Sequence, residues 1–334
     1  MDNIDFFMVG VLNRYEEYIM TSFKANSNLA GHITAIFTVI IWGTTFISTK
    51  VLLNTFTPVE ILFIRFTIGY LVLFLLSPHR VKMKDNKHEL LFIGAGSSGV
   101  TLYFLLENIA LTYTFASNVG IVVSIAPIFT AVLAHMFLDG EKLKPSFFAG
   151  FLIAMAGIFL ISYNGSTELK LNPLGDILAI LAAFVWGFYS IFSKKISSLG
   201  YPTITATRKI FFYGLLFMLP SLFYFNVDIT WNQFLKPINL LNILYLGFGA
   251  SALCFVTWNL AAKLLGAVKA SVYIYIVPVI TVIVSFLILH EKITLVSAFG
   301  ILLTLLGLIF SESKSKIKIE QIPILNKYFI NIHK

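Results

Sequence analysis

The second half of this 334-residue chain repeats the first, and the repeat runs through apolar segments long enough to cross a bilayer. The recurring residues keep their order while their spacing drifts by only a few positions. Trp42, Gly43, Lys50 and Pro58 return 144 positions later as Trp186, Gly187, Lys194 and Pro202; Asn108 and Pro127 return after 151 as Asn259 and Pro278; Glu141, Gly150 and Gly157 return after 150 as Glu291, Gly300 and Gly307. A duplicated membrane unit whose copies take opposite orientations is a common plan of solute carriers. Transport is therefore the leading hypothesis.

The composition indicates that lipid is the solvent of this chain. Hydrophobic residues make up 58% and charged residues only 12%, whereas soluble domains carry about 25% charged residues. The net charge of +8 comes from basic residues between apolar segments, which favours membrane orientation over nucleic-acid binding. The single Cys254 excludes an internal disulfide. The histidines lack metal-ligand spacing and no ATP-binding or hydrolase motif is present, so we expect neither a cofactor nor an enzyme.

The apolar runs predict an all-α polytopic membrane protein with ten transmembrane helices. Each run holds about 17–23 mainly apolar residues without the alternation of strands, enough to cross a hydrocarbon core of about 30 Å. The predicted spans are 32–50, 58–76, 90–110, 117–137 and 146–163 in the first half, and 174–193, 204–225, 240–262, 270–289 and 295–312 in the second.

The distribution of Lys and Arg predicts the orientation. With a cytoplasmic N-terminus, seventeen basic residues of the connections and termini lie inside and four outside: Lys50, Lys170, Lys236 and Lys292. This asymmetry places both termini in the cytoplasm. Because five spans per half is an odd number, the two halves form inverted repeats. We expect a multi-pass protein of a bacterial plasma membrane, in contact with membrane lipids.

The pattern predicts four parts of the chain. Residues 1–29 form a cytoplasmic or interfacial extension, 30–165 the first five-helix repeat, 172–312 the second, and 313–334 a basic cytoplasmic tail. Translation from Met20 is an alternative origin of the extension.

The paired motifs resemble the EamA family of the drug/metabolite transporter superfamily over about residues 30–312. The signature is Trp-Gly-x-x-Phe-x-x-x-Lys at 42–50, with Trp-Gly and the later Lys again at 186–194. It continues with Ala-Pro-Ile at 126–128, Val-Pro-Val at 277–279, and Glu141 and Glu291 each followed nine positions later by a glycine. The resemblance implies ten helices, a central cavity between the repeats and alternating access without ATP. Family substrates include amino acids, other metabolites and toxic compounds, often for export.

Three cations inside the spans are the most informative candidate site residues. Arg65 lies seven residues into the second span, and Arg208 and Lys209 lie six and seven residues after Pro202. A cation within a bilayer costs about 2.5 kcal/mol or more unless it meets water or a partner. Their placement suggests that an anion or carboxylate meets positive charge near each entrance. As an alternative to this binding role, the cations extend to the lipid headgroups by snorkelling, or pair with a carbonyl or with Glu60.

Other polar and aromatic residues on the same spans are candidates for the cavity wall. For each, tight packing or an interhelical hydrogen bond is the alternative. The candidates are Trp42, Tyr103, Glu107, Asn108, Trp186, Tyr189, Trp258, Asn259 and Tyr273.

Prolines and glycines predict where helices bend and where they approach closely. Pro127 and Pro278 remove a backbone donor inside the fourth and ninth spans and act as hinges or as static kinks. Gly150 and Gly157, and likewise Gly300 and Gly307, lie two turns apart on one helical face, which predicts close helix packing in a support or homodimer seam. Glu141 and Glu291 are expected to be helix-start residues.

These observations favour a secondary transporter, an exporter of a small metabolite such as an amino acid, working by alternating access. A sugar-phosphate or nucleotide-sugar exchanger is the alternative within transport. A membrane-embedded lipid-modifying enzyme is less favoured, since the spans lack convergent acids, histidines or metal ligands. A non-transporting scaffold is less favoured because the charge inside the spans would then need another explanation.

Overall fold

The computed structural model describes residues 2–312 except 79–80, 82, 115, 142–143, 163–171, 226 and 290–293. Its regular structure is entirely helical, which confirms the predicted all-α class. Helices follow from the composition, because each helix satisfies its own backbone hydrogen bonds where no water is available.

Ten helical stretches, here α1–α10, follow one another along the described chain. Their bounds are α1 Asp2–Leu52, α2 Pro58–Leu76, α3 Asn86–Tyr113, α4 116–137, α5 Pro145–Ser162, α6 Pro173–Ser198, α7 Thr203–Tyr224, α8 Pro237–Leu265, α9 267–289 and α10 Leu295–Glu312. A one-turn helix, Trp231–Phe234, connects α7 to α8. The predicted tail, 313–334, lies outside the described residues.

Seven of these stretches are long and apolar enough to cross a membrane, counting only Ser27–Leu52 of α1. The apolar parts of α5 and α10 are shorter, at Pro145–Ile161 and Leu295–Ser311. The remaining stretch, α7, is not among these seven, and it carries Arg208 and Lys209 within its first two turns. The chain is a multi-pass membrane protein, and the number of ten crossings stays a prediction.

The two halves pack against each other through repeat-related contacts. Gly69 of α2 lies against Gly247 of α8, and Gly214 of α7 lies against Gly96 of α3. A Cβ atom at Gly69 or Gly214 would lie 3.4 or 3.3 Å from the opposing carbonyl oxygen. Gly69 and Gly214 are 145 positions apart, and Gly96 and Gly247 are 151 apart, matching the drift of the sequence repeat. Each half therefore offers the same pair of surfaces to the other.

Helical irregularities also recur in both halves. A π-helical segment interrupts α3 at Ser97–Leu102 and α8 at Tyr245–Leu253. Near Pro127, α4 is broken between Val123 and Ala126, and in α9 a 3-10 turn spans Val272–Tyr275 before Pro278. Both prolines thus follow a break in their helix, which is the geometry of a kink.

The predicted glycine faces lie on the contact between α5 and α10. A Cβ atom at Gly157 would lie 2.6 Å from the Gly300 carbonyl oxygen, and one at Gly307 would lie 2.6 Å from that of Gly150. Only glycine allows backbones to approach so closely. The seam joins the last helices of the two repeats within one chain.

Candidate functional site: a cavity between the repeats

We name the two ends of the bundle after the predicted topology. The outer end carries the connections at 53–57 and 114–115, and the inner end carries those at 77–85 and 199–202.

A buried cavity lies between the repeats, nearer to the outer end. It is narrow, since the centres of water-sized molecules can occupy about 40 Å³ of it. Its lining comes from α1, α2, α3, α4, α6 and α9: Trp42, Thr45, Phe46, Arg65, Tyr103, Phe104, Glu107, Gly120, Val123, Ser124, Trp186, Ile274 and Val277. The cavity therefore has largely apolar walls with a few polar groups, as small-molecule sites commonly do.

Arg65 is the cation of this cavity and is only 1% exposed. Its Nε donates to Ser251 Oγ at 3.0 Å, and its guanidinium carbon lies 4.4 Å from the centre of the Phe104 ring. Ring face and hydroxyl together hold the guanidinium in place. Guanidinium has five N–H donors, and in the described chain only the one on Nε meets a protein acceptor. Four donors are thus left for a bound molecule or water.

The predicted alternative partner of Arg65 is engaged elsewhere. Glu60 closes a capping box at the start of α2, where its Oε2 accepts from Thr57 N at 2.8 Å. Its Oε1 accepts from Asp228 N at 3.2 Å. Both bonds fix the outer end of α2 and so set the depth of Arg65.

Glu107 brings a carboxyl group to the same cavity. It is 3% exposed and lies one helical turn after Tyr103, so carboxylate and phenol face the same space. Arg65 and Glu107 attract each other electrostatically. In the described part of the chain, however, the one carboxylate held within 4 Å of a Lys or Arg nitrogen is that of Glu89, next to Lys209. The cavity therefore presents a guanidinium and a carboxyl group that do not form a salt bridge with each other.

Aromatic rings form the floor of the cavity. Trp42 of the first repeat meets Trp186 of the second edge to face, with ring centres 5.3 Å apart. Next to them, the ring centre of Trp258 lies 5.1 Å from that of Trp42, and the ring centre of Tyr189 lies 4.8 Å from that of Trp186. Trp258 and Tyr189 are buried and do not line the cavity.

A hydrogen-bonded network occupies the inner side of this floor. Tyr189 OH and Ser193 Oγ both donate to Asn259 Oδ1, at 2.7 and 2.6 Å. Asn259 Nδ2 donates to Thr207 Oγ1 at 3.0 Å. The network joins α6, α7 and α8. Its first-repeat counterpart, Asn108, donates instead to the Pro58 carbonyl oxygen at 3.1 Å.

Arg208, Lys209 and Tyr273 lie outside the cavity in this conformation. Arg208 donates to the Ser77 carbonyl at the end of α2, and Tyr273 is hydrogen-bonded to His32. Lys209 Nζ lies 2.8 Å from Glu89 Oε2. These contacts tie helices together at the inner end.

Further polar contacts close the inner end. Lys84 Nζ donates to the Leu199 carbonyl at 2.6 Å, and His88 Nδ1 lies 2.9 Å from Tyr201 OH. The connection between α2 and α3 is thereby fixed to the turn between α6 and α7.

Glu141 caps a helix other than the one it precedes. Its Oε1 accepts from Ala267 N at 3.0 Å, at the start of α9. The carboxylate thus stabilises the first turn of a second-repeat helix rather than that of α5. Its counterpart Glu291 lies outside the described residues.

No pattern in the sequence marks some of the residues that hold Arg65. Ser251 lies in the π-helical segment of α8, and its first-repeat counterpart is the apolar Val100, so the repeat does not mark it. Phe104 is one of 33 phenylalanines. Only the three-dimensional arrangement places both against the guanidinium.

Comparison with known proteins agrees with this architecture. The profile of the EamA-like transporter family matches residues 29–163 and again residues 173–312. An uncharacterized transporter of Archaeoglobus fulgidus is 29% identical over 293 residues, covering 86% of this chain and 99% of its own. A probable terminal-alkyne amino-acid exporter of Streptantibioticus cattleyicolor is 25% identical over 258 residues, covering 77% of this chain and 84% of its own. A solved crystal structure shares the fold, with a TM-score of 0.69 at 21% identity over 86% of this chain and 97% of its own.

Proposed function

Because the chain belongs to the EamA-like transporter family, we propose that it is a secondary carrier that exports a small carboxylate-bearing metabolite, such as an amino acid or a related compound. The observation that carries this proposal is the guanidinium of Arg65, buried in the cavity with most of its donors unused by the described chain.

The chemistry of Arg65 favours a carboxylate as the bound group. A buried cation is costly unless an anion or water meets it, and guanidinium binds carboxylate through two parallel hydrogen bonds. Ser251 and Phe104 hold one edge and one face of the guanidinium, leaving the Nη donors for the solute. Glu107 offers a carboxylate to an ammonium group on the same solute. The amino-acid exporter among the relatives is consistent with this class of substrate.

Transport proceeds by alternating access between the two inverted repeats. In this conformation the cavity lies towards the outer end, while the Asn259 network and the Lys209–Glu89 pair close the inner end. Because the halves offer each other the same surfaces, rocking one against the other would close the outer end and open the inner one. The breaks before Pro127 and Pro278 serve as the hinges.

The protein resides in the plasma membrane with both termini in the cytoplasm. The asymmetry of Lys and Arg supports this orientation, and the relatives come from bacteria and archaea.

Flux measurements in liposomes test the proposal. The purified protein is reconstituted and assayed with radiolabelled amino acids, with and without a pH gradient. Each accepted acid is then competed with the unlabelled acid or its amide, which lacks the charged carboxylate. We expect the acid to compete and the amide to fail. Arg65→Gln should lower flux at least tenfold, since a charged hydrogen bond is lost.

Lys236→Gln is the matched control, because Lys236 is an exposed cation at the outer end. It should leave flux unchanged. Equal competition by acid and amide, or full flux in Arg65→Gln, would contradict the proposal.

A further inference from the structure

Among the buried polar atoms that have no hydrogen-bond partner in the described chain, four lie at positions whose counterparts in the other repeat are also polar. These four are the Nε1 of Trp186, the Oγ1 of Thr130, the Oγ1 of Thr49 and the Oδ1 of Asn108. A buried polar group without a partner is unfavourable and calls for an explanation. In each case, the counterpart in the other repeat is hydrogen-bonded.

The tryptophans form the first such pair. Trp42 Nε1 donates to the Ala250 carbonyl at 3.1 Å, whereas Trp186 Nε1 has no acceptor in the described chain. Trp186 lies 144 positions after Trp42, and the repeat equivalent of Ala250 is Gly99, 151 positions earlier. Both Ala250 and Gly99 lie in the π-helical segments of α8 and α3.

Two threonines behave in the same way. Thr281 Oγ1 in α9 has two acceptors, the Gly43 carbonyl of α1 at 2.7 Å and the Val277 carbonyl of its own helix at 3.0 Å. Its counterpart Thr130 in α4, 151 positions earlier, is buried with its hydroxyl unpaired by any described residue. The equivalent acceptor is the carbonyl of Gly187 in α6.

The asparagines complete the pattern within each repeat. Ser193 Oγ donates to Asn259 Oδ1 at 2.6 Å between α6 and α8. The equivalent pair between α1 and α3 is Thr49 and Asn108, whose side-chain oxygens have no partner in the part of the chain that the structure describes. Thr49 and Asn108 are 1% and 0% exposed.

We propose that these three pairs are exchange latches. We take the present conformation, whose cavity lies nearer to the outer end, as the outer-open state; in it the Trp42, Thr281 and Ser193 bonds are made. In the inner-open state the two repeats exchange conformations, so that Trp186 donates to Gly99, Thr130 to Gly187, and Thr49 to Asn108. This inference rests on the proposed alternating access and names the atoms that change partners.

The latches give the two states comparable numbers of hydrogen bonds. A bond made in one state is matched by a bond made in the other, so neither state is favoured by the full set. Only a small free-energy difference then separates the states, and a solute can shift the population between them.

Two engineered cysteines report which end is open. Gly120 lines the cavity, and among the described residues a Cβ atom there would meet only Phe46, at 3.9 Å, so Gly120→Cys has room for its thiol. The repeat equivalent of Gly120 is Ser271, and both residues are buried in this conformation. In a Cys254→Ala background, a membrane-impermeant maleimide is applied from each face, and the labelling rates of Gly120→Cys and Ser271→Cys are measured.

The latches predict opposite effects for chemically identical substitutions. Thr130→Val removes a bond of the inner-open state and should raise the ratio of Gly120→Cys to Ser271→Cys labelling about fivefold, the factor expected for one hydrogen bond. Thr281→Val removes a bond of the outer-open state and should lower the ratio by a similar factor. Thr49→Val should raise the ratio, as Thr130→Val does, and Ser193→Ala should lower it, as Thr281→Val does.

Thr67→Val is the matched control. Its hydroxyl is also buried and unpaired within the described chain, but the repeat equivalent is a phenylalanine at a spacing of either 144 or 145 (Phe211 or Phe212), so Thr67 belongs to no latch. It should leave the ratio unchanged. The inference is overturned if Thr130→Val and Thr281→Val shift the ratio in the same direction, or if Thr130→Val behaves like Thr67→Val.

The experiment separates the latches from the proposed function. If Ser271→Cys is labelled from the inner face but Thr130→Val and Thr281→Val do not shift the labelling ratio in opposite directions, the latches alone are disproved. No labelling of Ser271→Cys from the inner face in any variant removes alternating access itself. Neither result depends on the identity of the solute.

Discussion

Lys50 and Lys194, 144 positions apart, make the same contact in the two repeats. Lys50 Nζ donates to the carbonyl oxygens of Leu111 and Thr114 at the end of α3, at 2.5 and 3.3 Å. Lys194 Nζ donates to those of Ala262 and Lys263 at the end of α8, both at 3.2 Å. Each lysine thus caps the carbonyl end of a helix, where a cation is stabilised by the helix dipole. One cap lies at the outer end and the other at the inner end.

Replacing either lysine by methionine should destabilise the protein by similar amounts. The substitution keeps the apolar stem but removes the cap, at a cost of about 0.5–1 kcal/mol each. Thermal unfolding in detergent measures the effect, with exposed Lys236→Met as the control. A loss confined to one of the two lysines would contradict the equivalence of the caps.

Gly157→Ala should weaken the seam between α5 and α10 severely. The added methyl group would lie 2.5 Å from the Thr304 backbone nitrogen, and the helix backbone cannot move away without separating the two helices. We expect a loss of about 1–3 kcal/mol or more. Gly120→Ala, whose methyl group meets only Phe46 among the described residues, is the control and should not lower the melting temperature. Equal melting temperatures of Gly157→Ala and Gly120→Ala would argue against a tight seam.

Glu107→Gln should distinguish solutes by their amino group. If the carboxylate binds a substrate ammonium, flux of an amino acid should fall about tenfold or more, whereas flux of the matching hydroxy acid should change little. Competition assays with both compounds in liposomes provide the measurement. An equal loss for both would assign Glu107 a structural role.

Lys209 and Glu89 should prove energetically coupled. The pair is only partly exposed, at 17% and 31%, and Tyr213 OH also donates to the same carboxylate. A double-mutant cycle of Lys209→Met and Glu89→Gln, read by thermal unfolding, should give a coupling of about 1 kcal/mol. Additive effects would show that the pair does not hold the inner end together.

The repeat and the apolar runs were sufficient to predict the helical architecture, because a bilayer admits few alternatives for such runs. Arg65 and Glu107 could be selected from the sequence, since a charge deep in an apolar run needs a polar surrounding. That both residues line one cavity could be seen only from the packing of the helices. Arg208 and Lys209 lie at similar depth but contact Ser77 and Glu89 instead of the cavity. These contacts could not be predicted from the sequence, because the partners are more than 100 positions away along the chain.

The latch pairs show a different limit of sequence reasoning. Trp42 and Trp186 are identical in type and repeat position, yet one is hydrogen-bonded and the other is not. A sequence repeat describes both copies alike, whereas the structure shows them in different hydrogen-bonding states. Under the proposed exchange, this asymmetry belongs to the conformation and not to the residue.

Solute protection at Gly120→Cys tests the central claim most directly, because it asks whether a transported carboxylate binds beside Arg65. In the Cys254→Ala background, maleimide labelling of Gly120→Cys from the outer face is followed with and without a solute that the liposome assay accepts. The account predicts that the solute slows labelling when Arg65 is present and has no effect in Arg65→Gln. Unchanged labelling by a transported solute in the presence of Arg65 would contradict it.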